Sequence, residues 1–281
     1  MFAVAVFQSP PARKVSFSCL PPKNRRLSRL SRPMSFARGD WRRWLQSPAC
    51  RDPKSHLWRS WVASGDSGYP YEEATAWALG AGVEDAAALQ ALTAILRARP
   101  LARDGQTYLF DTAVALDAAV TLHAAGVAGA QAFKECAWRR AEPLLKDRRA
   151  VPNGPRPGEE REDTRWSESF GAHMLWLVRP LVRLGETEQA MALIEAVWPG
   201  CRADPLPKVH AAGATVYAHA AGYAAEGLAW GDALHRAAAA QITTKLLDVA
   251  AQHDGLIPAF VDHGPLRADI SAQAWHLACT L

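Results

Sequence analysis

From Tyr71 to Leu281 the chain alternates strictly between short glycine-centred turns and long connections rich in Gly, Pro and Asp. Short turns fall at 81–83, 125–127, 184–186 and 230–232, and the long connections at 99–110, 147–165, 199–212 and 252–267. Between them the apolar residues recur at helical spacing, with almost no strand-like alternation. The expected helices are 72–81, 85–98, 111–125, 129–146, 166–184, 187–198, 213–230, 232–251 and 268–281. Helices joined in this rhythm form antiparallel hairpins, with every short turn at one end and every long loop at the other.

First helices begin near 72, 111, 166, 213 and 268, at offsets of 39, 55, 47 and 55 residues. Offsets this irregular exclude a strict tetratricopeptide period. Unequal hairpins with long loops on one rim suit an all-α fold of the α/α-toroid kind better than an open solenoid. Four and a half hairpins are evident, so the ring is complete only if residues 35–62 close it.

Residues 66–281 are thus expected to form the toroid domain, preceded by a Trp- and Arg-rich segment at 34–65 and a leader at 1–33. In the middle segment, DWRRWLQS and SHLWRSWVAS each read as a short helix, with Trp41, Trp44, Trp58 and Trp61 packing on the body. The leader holds seven basic residues and no acid. It reads as an organelle transit segment or as an upstream extension before a start at Met34, the second being favoured. Without those seven, the formal charge of +4 becomes −3, with 25 basic residues against 28 acidic. Such a body offers no nucleic-acid surface.

No apolar run reaches the roughly 20 residues that span a bilayer. Five scattered cysteines without a C-x-x-C point to a reducing, cytoplasmic setting and away from a zinc site or disulfide framework. Zincin, P-loop, nucleophile-elbow and dinucleotide motifs are all missing, as is an aspartate-rich diphosphate motif. His210 and His219 do not share a helical face. Neither a metal nor an organic cofactor is therefore expected.

Residues 213–232 are the most informative stretch. On a helix, Thr215, His219, Tyr223, Glu226 and Trp230 share one side, and Tyr217, Ala221, Ala224 and Leu228 the other. A polar face of His, Tyr, Glu and Trp suggests a concave wall that meets a ligand. The last helix repeats the pattern, with Asp269, Gln273 and His276 on one face. Each of these two helices carries an acid and a His about 10 Å apart. If the long loops share a rim, Glu72, Glu73, Asp111, Trp166, Glu168, Arg267 and Asp269 converge there. Acids at helix starts also serve as ordinary caps and dipole partners, which competes with a functional role for Glu72, Glu73 and Asp111. His173, on a face with Trp166, Phe170 and Leu177, reads as a core residue whose helix opens on the same rim.

Several short motifs carry a resemblance: GYPYEEATAWAL, DGQTYLFDTAVAL, TVYAHAAGYAAEGL followed by GD, QHDGLIPAFVD and RADISAQAWHL. Together they resemble a group of bacterial α/α-toroid proteins from surface-polysaccharide and sugar contexts, over residues 66–281. More distantly the chain is similar to the six-hairpin carbohydrate enzymes, namely the N-acylglucosamine 2-epimerase and cellobiose epimerase group and the unsaturated glucuronyl hydrolases. The hairpin count departs from six, and the epimerases' full His/Glu/Arg set has no residue-by-residue match here.

The resemblance implies a carbohydrate-active protein, first of all a sugar epimerase or isomerase. His219 and His276 would be its base and acid, Glu226 and Asp269 their partners, and Arg267 the group that holds a developing oxyanion. Gln273, Tyr223, Trp166, Asp111 and Glu73 would bind the sugar. A glycosidase or uronyl hydrolase would instead pair two carboxylates from Glu73, Asp111, Glu226 and Asp269. A third reading is a non-catalytic helical module that binds a glycan or a protein.

Overall fold

A computed structural model describes residues 40–59, 62–63, 66–98, 109–146, 171–204, 206–208, 216–261 and 263–281. Within them the chain is mostly helical. Helix α1 (Asp40–Leu45) precedes a short hairpin of β1 (Val62–Ala63) and β2 (Asp66–Ser67). Then follow α2 (Glu72–Gly80), α3 (Ala86–Ala98), α4 (Leu109–Ala124) and α5 (Ala130–Lys146). A 3₁₀ helix (Ala172–Leu177) runs into α6 (Val178–Leu184), which turns into α7 (Thr187–Cys201). The last elements are α8 (Ala218–Leu228), α9 (Ala233–Gln252), a hairpin of β3 (Ile257–Phe260) and β4 (His263–Arg267), and α10 (Ala268–Thr280).

Each glycine turn joins two helices that pack on each other, as in α2–α3, α4–α5, α6–α7 and α8–α9. Gly82, Gly126 and Gly185 each hold a left-handed φ at such a turn, a conformation that glycine adopts without strain. The first helices of successive hairpins also pack side by side, α2 on α4, α4 on the 3₁₀ helix, that helix on α8, and α8 on α10. They form the inner layer. Burial separates the layers cleanly, because every residue of α8 is buried while α9 buries only Ala239, Ile242, Thr243, Leu246 and Ala250.

Close approach in the inner layer depends on small residues. A Cβ on Gly227 would fall inside the Leu175 carbonyl of the 3₁₀ helix, and one on Gly80 would press on Ala118 of α4 at 3.3 Å. The segment before α2 is tied to the first hairpin. Trp58 is buried, its indole N–H donates to the Leu45 carbonyl at 2.8 Å, and its backbone N–H donates to Thr75 Oγ1 at 3.0 Å. Arg51 pairs with Asp85 ahead of α3. Trp44 is half-buried against the core. The side chain of Trp41, and Trp61 altogether, lie outside the described residues.

Four local expectations are corrected. SHLWRSWVAS forms no helix where described: Ser55 ends a turn, His56 has a left-handed φ of 62°, and Trp58 pairs with Arg51 and Arg59 with Pro70 before β1 begins. The 252–267 connection contains a β-hairpin that alternation could not reveal, since Pro258 and Pro265 interrupt both strands. Two strands are both edges, where proline is tolerated. The helix expected from 213 starts at Ala218, because Tyr217 is extended and bridged to Phe260. Within 166–184 the described part opens as a 3₁₀ helix, since Pro180 has no N–H for the Trp176 carbonyl.

Among the described residues no helix is long and apolar enough to cross a membrane. Replacing Gly227 with Ala should lower the unfolding free energy by about 3 kcal/mol, because the backbone of a neighbouring helix blocks the methyl. Urea titration measures this, and a midpoint equal to wild type would contradict the packing of α8 on the 3₁₀ helix.

Candidate functional site

The N-terminal ends of the inner helices meet. Tyr71 caps α2 from an extended backbone, and its hydroxyl donates to Glu73 Oε2 at 2.7 Å. The same oxygen lies 3.3 and 3.4 Å from the two carboxylate oxygens of Asp111 on α4. Trp77, one turn on, donates its indole N–H to Glu73 Oε1 at 3.2 Å. Glu73, Tyr71 and Asp111 are each only part-buried, so this group is open to solvent. Its neighbour Glu72 points elsewhere and pairs with the buried Arg140 of α5.

An aromatic cluster lies beside these acids. Tyr223 of α8 packs on Phe110 at 4.5 Å between centroids and on Trp176 at 5.4 Å, and Trp176 packs on Trp77 at 5.2 Å. His219, one turn before Tyr223, stacks on it at 4.3 Å. Burial, reinforced by the charges of Glu73, Asp269 and Glu226, holds the Tyr223 phenol well above its usual range. Tyr223 thus feels the acids of both α2 and α10.

On the far side, Arg267 closes a fork on Asp269, Nε to Oδ1 at 2.9 Å and Nη2 to Oδ2 at 2.5 Å. Burial works to raise Asp269, yet the Arg267 fork and His219 keep it below the usual carboxylate range. Burial pushes His219 down to about 4, against the pull of Asp269, so its imidazole is neutral at pH 7. Ser271 accepts the Ile257 N–H at 2.9 Å and donates to the Arg267 carbonyl at 2.7 Å, which fixes the start of α10 to β3.

Two turns deeper lies a second polar group. Gln273 donates to Glu226 at 2.9 Å, and Arg179 of α6 lies 3.7 Å from the same carboxylate. Arg179 and Arg183 both pair with Asp117 of α4, at 3.1 and 3.2 Å, and Arg183 donates to Thr121 at 2.8 Å. Burial raises Glu226 to about 7, with Gln273 and Arg179 opposing. Burial also raises Asp117 in spite of its two guanidinium partners.

Of the residues singled out in the sequence, Glu73, Asp111, Tyr223, His219, Arg267 and Asp269 come together at the rim, and Glu226 and Gln273 lie below them. His276 is exposed on α10, lowered by partial burial and by Arg179, while Asp269 bears on His219. Trp166 and Glu168 lie outside the described residues. His173 is fully buried against Phe110. The polar face of α8 is buried like its apolar one, apart from half-exposed Trp230 just beyond the helix.

Tyr71, Asp117, Arg179 and Arg183 were not legible as site residues. A signal existed for Asp117, the one charge inside the apolar run TAVALDAAVTL, and for the Arg179/Arg183 pair at i, i+4 in an apolar helix. Among the described residues no group of three His, Cys, Asp or Glu could hold a metal ion. Comparison with protein-family models, with curated proteins and with solved structures finds no match.

The two buried titrating groups of α8 act on stability in opposite directions. His219, depressed from 6.5 to about 4, adds stability that is present above pH 6.5 and lost as pH falls toward 4. Glu226, raised from 4.5 to about 7, adds stability that is present below pH 4.5 and lost as pH rises toward 7. Over pH 4.5–6.5 their slopes cancel. Glu226→Gln should therefore make stability climb through that window by about 1.4 kcal/mol per pH unit, and His219→Phe should make it fall. Urea unfolding between pH 4 and 8 measures both, and identical profiles in all three proteins would contradict the assignment.

Proposed function

We propose that the protein is carbohydrate-active and that the rim between α2, α4, α8 and α10 is its sugar site, the inner arc of helices being part of an α/α toroid. The observation that carries the reading is the Tyr71 hydroxyl held against Glu73 and Asp111 beside an aromatic cluster. Sugars are recognised by this mixture: carboxylates take the ring's hydroxyls, and accessible rings such as exposed Tyr69, edge-on to half-buried Tyr71 at 5.5 Å, meet its C–H side, with the buried cluster as their support.

Among reactions, the geometry favours hydrolysis of a glycosidic bond. Both carboxylates reach one hydroxyl oxygen, within 2.7 and 3.4 Å, so they are closer than the 6.5–9.5 Å or so that inverting enzymes need for an intervening water. That spacing suits the retaining route, in which one carboxylate attacks the sugar carbon and the other first protonates the leaving oxygen and then deprotonates water. Tyr71 and Trp77 donate to Glu73, which fixes its orientation for either role.

Epimerisation is the second reading, and one observation favours it. His219 is neutral and stacked on Tyr223 beside Asp269, as a base that abstracts a proton next to a sugar carbonyl would be. In that case Arg267 supports the developing oxyanion through its remaining N–H groups. His276 stands two turns along α10, so the second proton-transfer group would be Tyr223 rather than a second histidine.

Glu73→Gln and Asp111→Asn should each cut release of free sugar from an oligosaccharide by 10²- to 10⁴-fold or so while the melting temperature stays close to wild type. Loss in His219→Asn alone, with both carboxylate variants active, would shift the assignment to epimerisation. Full activity in all three would place the chemistry away from this rim, and no turnover of any sugar by the wild type would leave a glycan-binding module.

A further inference from the structure

The β3–β4 hairpin leads directly into Arg267 and Asp269 and carries its own aromatic surface. His263 stacks on Phe260 with 4.8 Å between centroids and 9° between planes, and Phe260 meets Tyr217 edge-on at 5.3 Å. Tyr217 lies 6.3 Å from His219, which stacks on Tyr223. One row of rings thus passes from exposed His263, through half-buried Phe260 and buried Tyr217, to the rim. Polar groups accompany it, since both Arg267 and Asp269 bear on the Tyr217 hydroxyl.

The hairpin is built to hold that surface still. Gly264 sits at a φ of 97°, and a Cβ there would lie 3.3 Å from Phe260 Cδ2, so glycine lets the turn fold over the ring and sets His263 parallel to it. Ser271 ties β3 to α10, and the Tyr217–Phe260 bridge ties it to the start of α8. Rings fixed in this way lose little freedom when a ligand covers them. A peptide added as a third strand fits poorly, because Pro258 and Pro265 remove backbone donors from both edges.

We propose that Phe260 and His263 hold a second sugar ring, so that the ligand of the rim is an oligosaccharide whose chain leaves across the β3–β4 hairpin. This rests on the carbohydrate reading of the rim and adds the length and direction of its substrate. Since His263 covers one face of Phe260, the flat surface offered to a pyranose ring is the outer face of exposed His263 with the half-buried edge of Phe260 beside it. Phe260 and His263 are the accessible end of the row, His263 exposed and Phe260 half-buried, on the strands that lead into Arg267, so a chain leaving the rim meets them first.

Calorimetric titration of the full chain with glucose, N-acetylglucosamine and their β-1,4-linked trimers tests the proposal, beside Phe260→Ala and His263→Ala. The expected result is a trimer bound at least tenfold more tightly than its monomer, weakened about tenfold in each variant, with monomer affinity unchanged within twofold. His263 is exposed, so its variant keeps the test valid if Phe260→Ala unfolds the hairpin. Equal affinity for monomer and trimer, or trimer binding untouched by His263→Ala, would overturn the hairpin assignment and leave the rim as a monosaccharide site. Failure of wild type to bind any of the four sugars would overturn the carbohydrate reading and this inference together.

Discussion

Burial of α8 on every side is the constraint on which the rest depends. A helix surrounded by other helices must be narrow, and this one is: of its eleven residues, five are alanine and two are glycine. Gly227 admits the carbonyl of the 3₁₀ helix, and Gly222 admits the side chain of Gln273 from α10. The same helix carries His219, Tyr223 and Glu226 into the interior, where each polar atom has to find compensation. Those needs recruit Gln273 and Asp269 from α10 and Arg179 from α6, which is why polar groups collect in the inner layer.

Compensation takes two forms at two depths. At the rim, carboxylates face a neutral imidazole, phenols and one engaged guanidinium, and the group stays partly open to water. Two turns further in, Asp117, Arg179, Arg183, Glu226 and Gln273 join α4, α6, α8 and α10 in one network. Burial acts on both histidine and glutamate by disfavouring the charged form, so it depresses His219 and raises Glu226. Opposite shifts on one helix cancel in slope, so their joint contribution to stability changes little across mildly acidic pH. The deeper network ties α4, α6, α8 and α10 together, and Asp111, Tyr223 and Asp269 stand on three of those helices.

Much of the helix pattern was legible because each hairpin turn is marked by a glycine, and a glycine at positive φ is a local requirement that needs no tertiary context. The 252–267 hairpin was not, since its two strands are short, carry Pro258 and Pro265, and are stabilised by Ser271 and Tyr217 from outside the segment. Periodicity separated His219, Tyr223 and Glu226 from the alanine face of α8. It could not say what lies opposite each face, and both proved to be buried. Tyr71 was missed for a simpler reason: one of the two carboxylates it touches lies 40 residues away on another helix, and nothing near Tyr71 in the sequence announces Asp111. The i, i+4, i+7 spacing put His276 on the face of Asp269, whereas only the first part of that face meets α8.

The central claim is that Tyr71, Glu73 and Asp111 form part of a sugar site rather than an isolated helix cap. A thermal-shift titration of the full chain with hexoses, amino sugars, uronic acids and short oligosaccharides, run beside Tyr71→Phe, tests it most directly. A sugar held at 100 times its dissociation constant adds about 2.7 kcal/mol to wild type. The account predicts such a shift for one class of sugar, and a much smaller one in Tyr71→Phe. An unshifted melting temperature with every sugar, from a cooperatively folded protein, would contradict it.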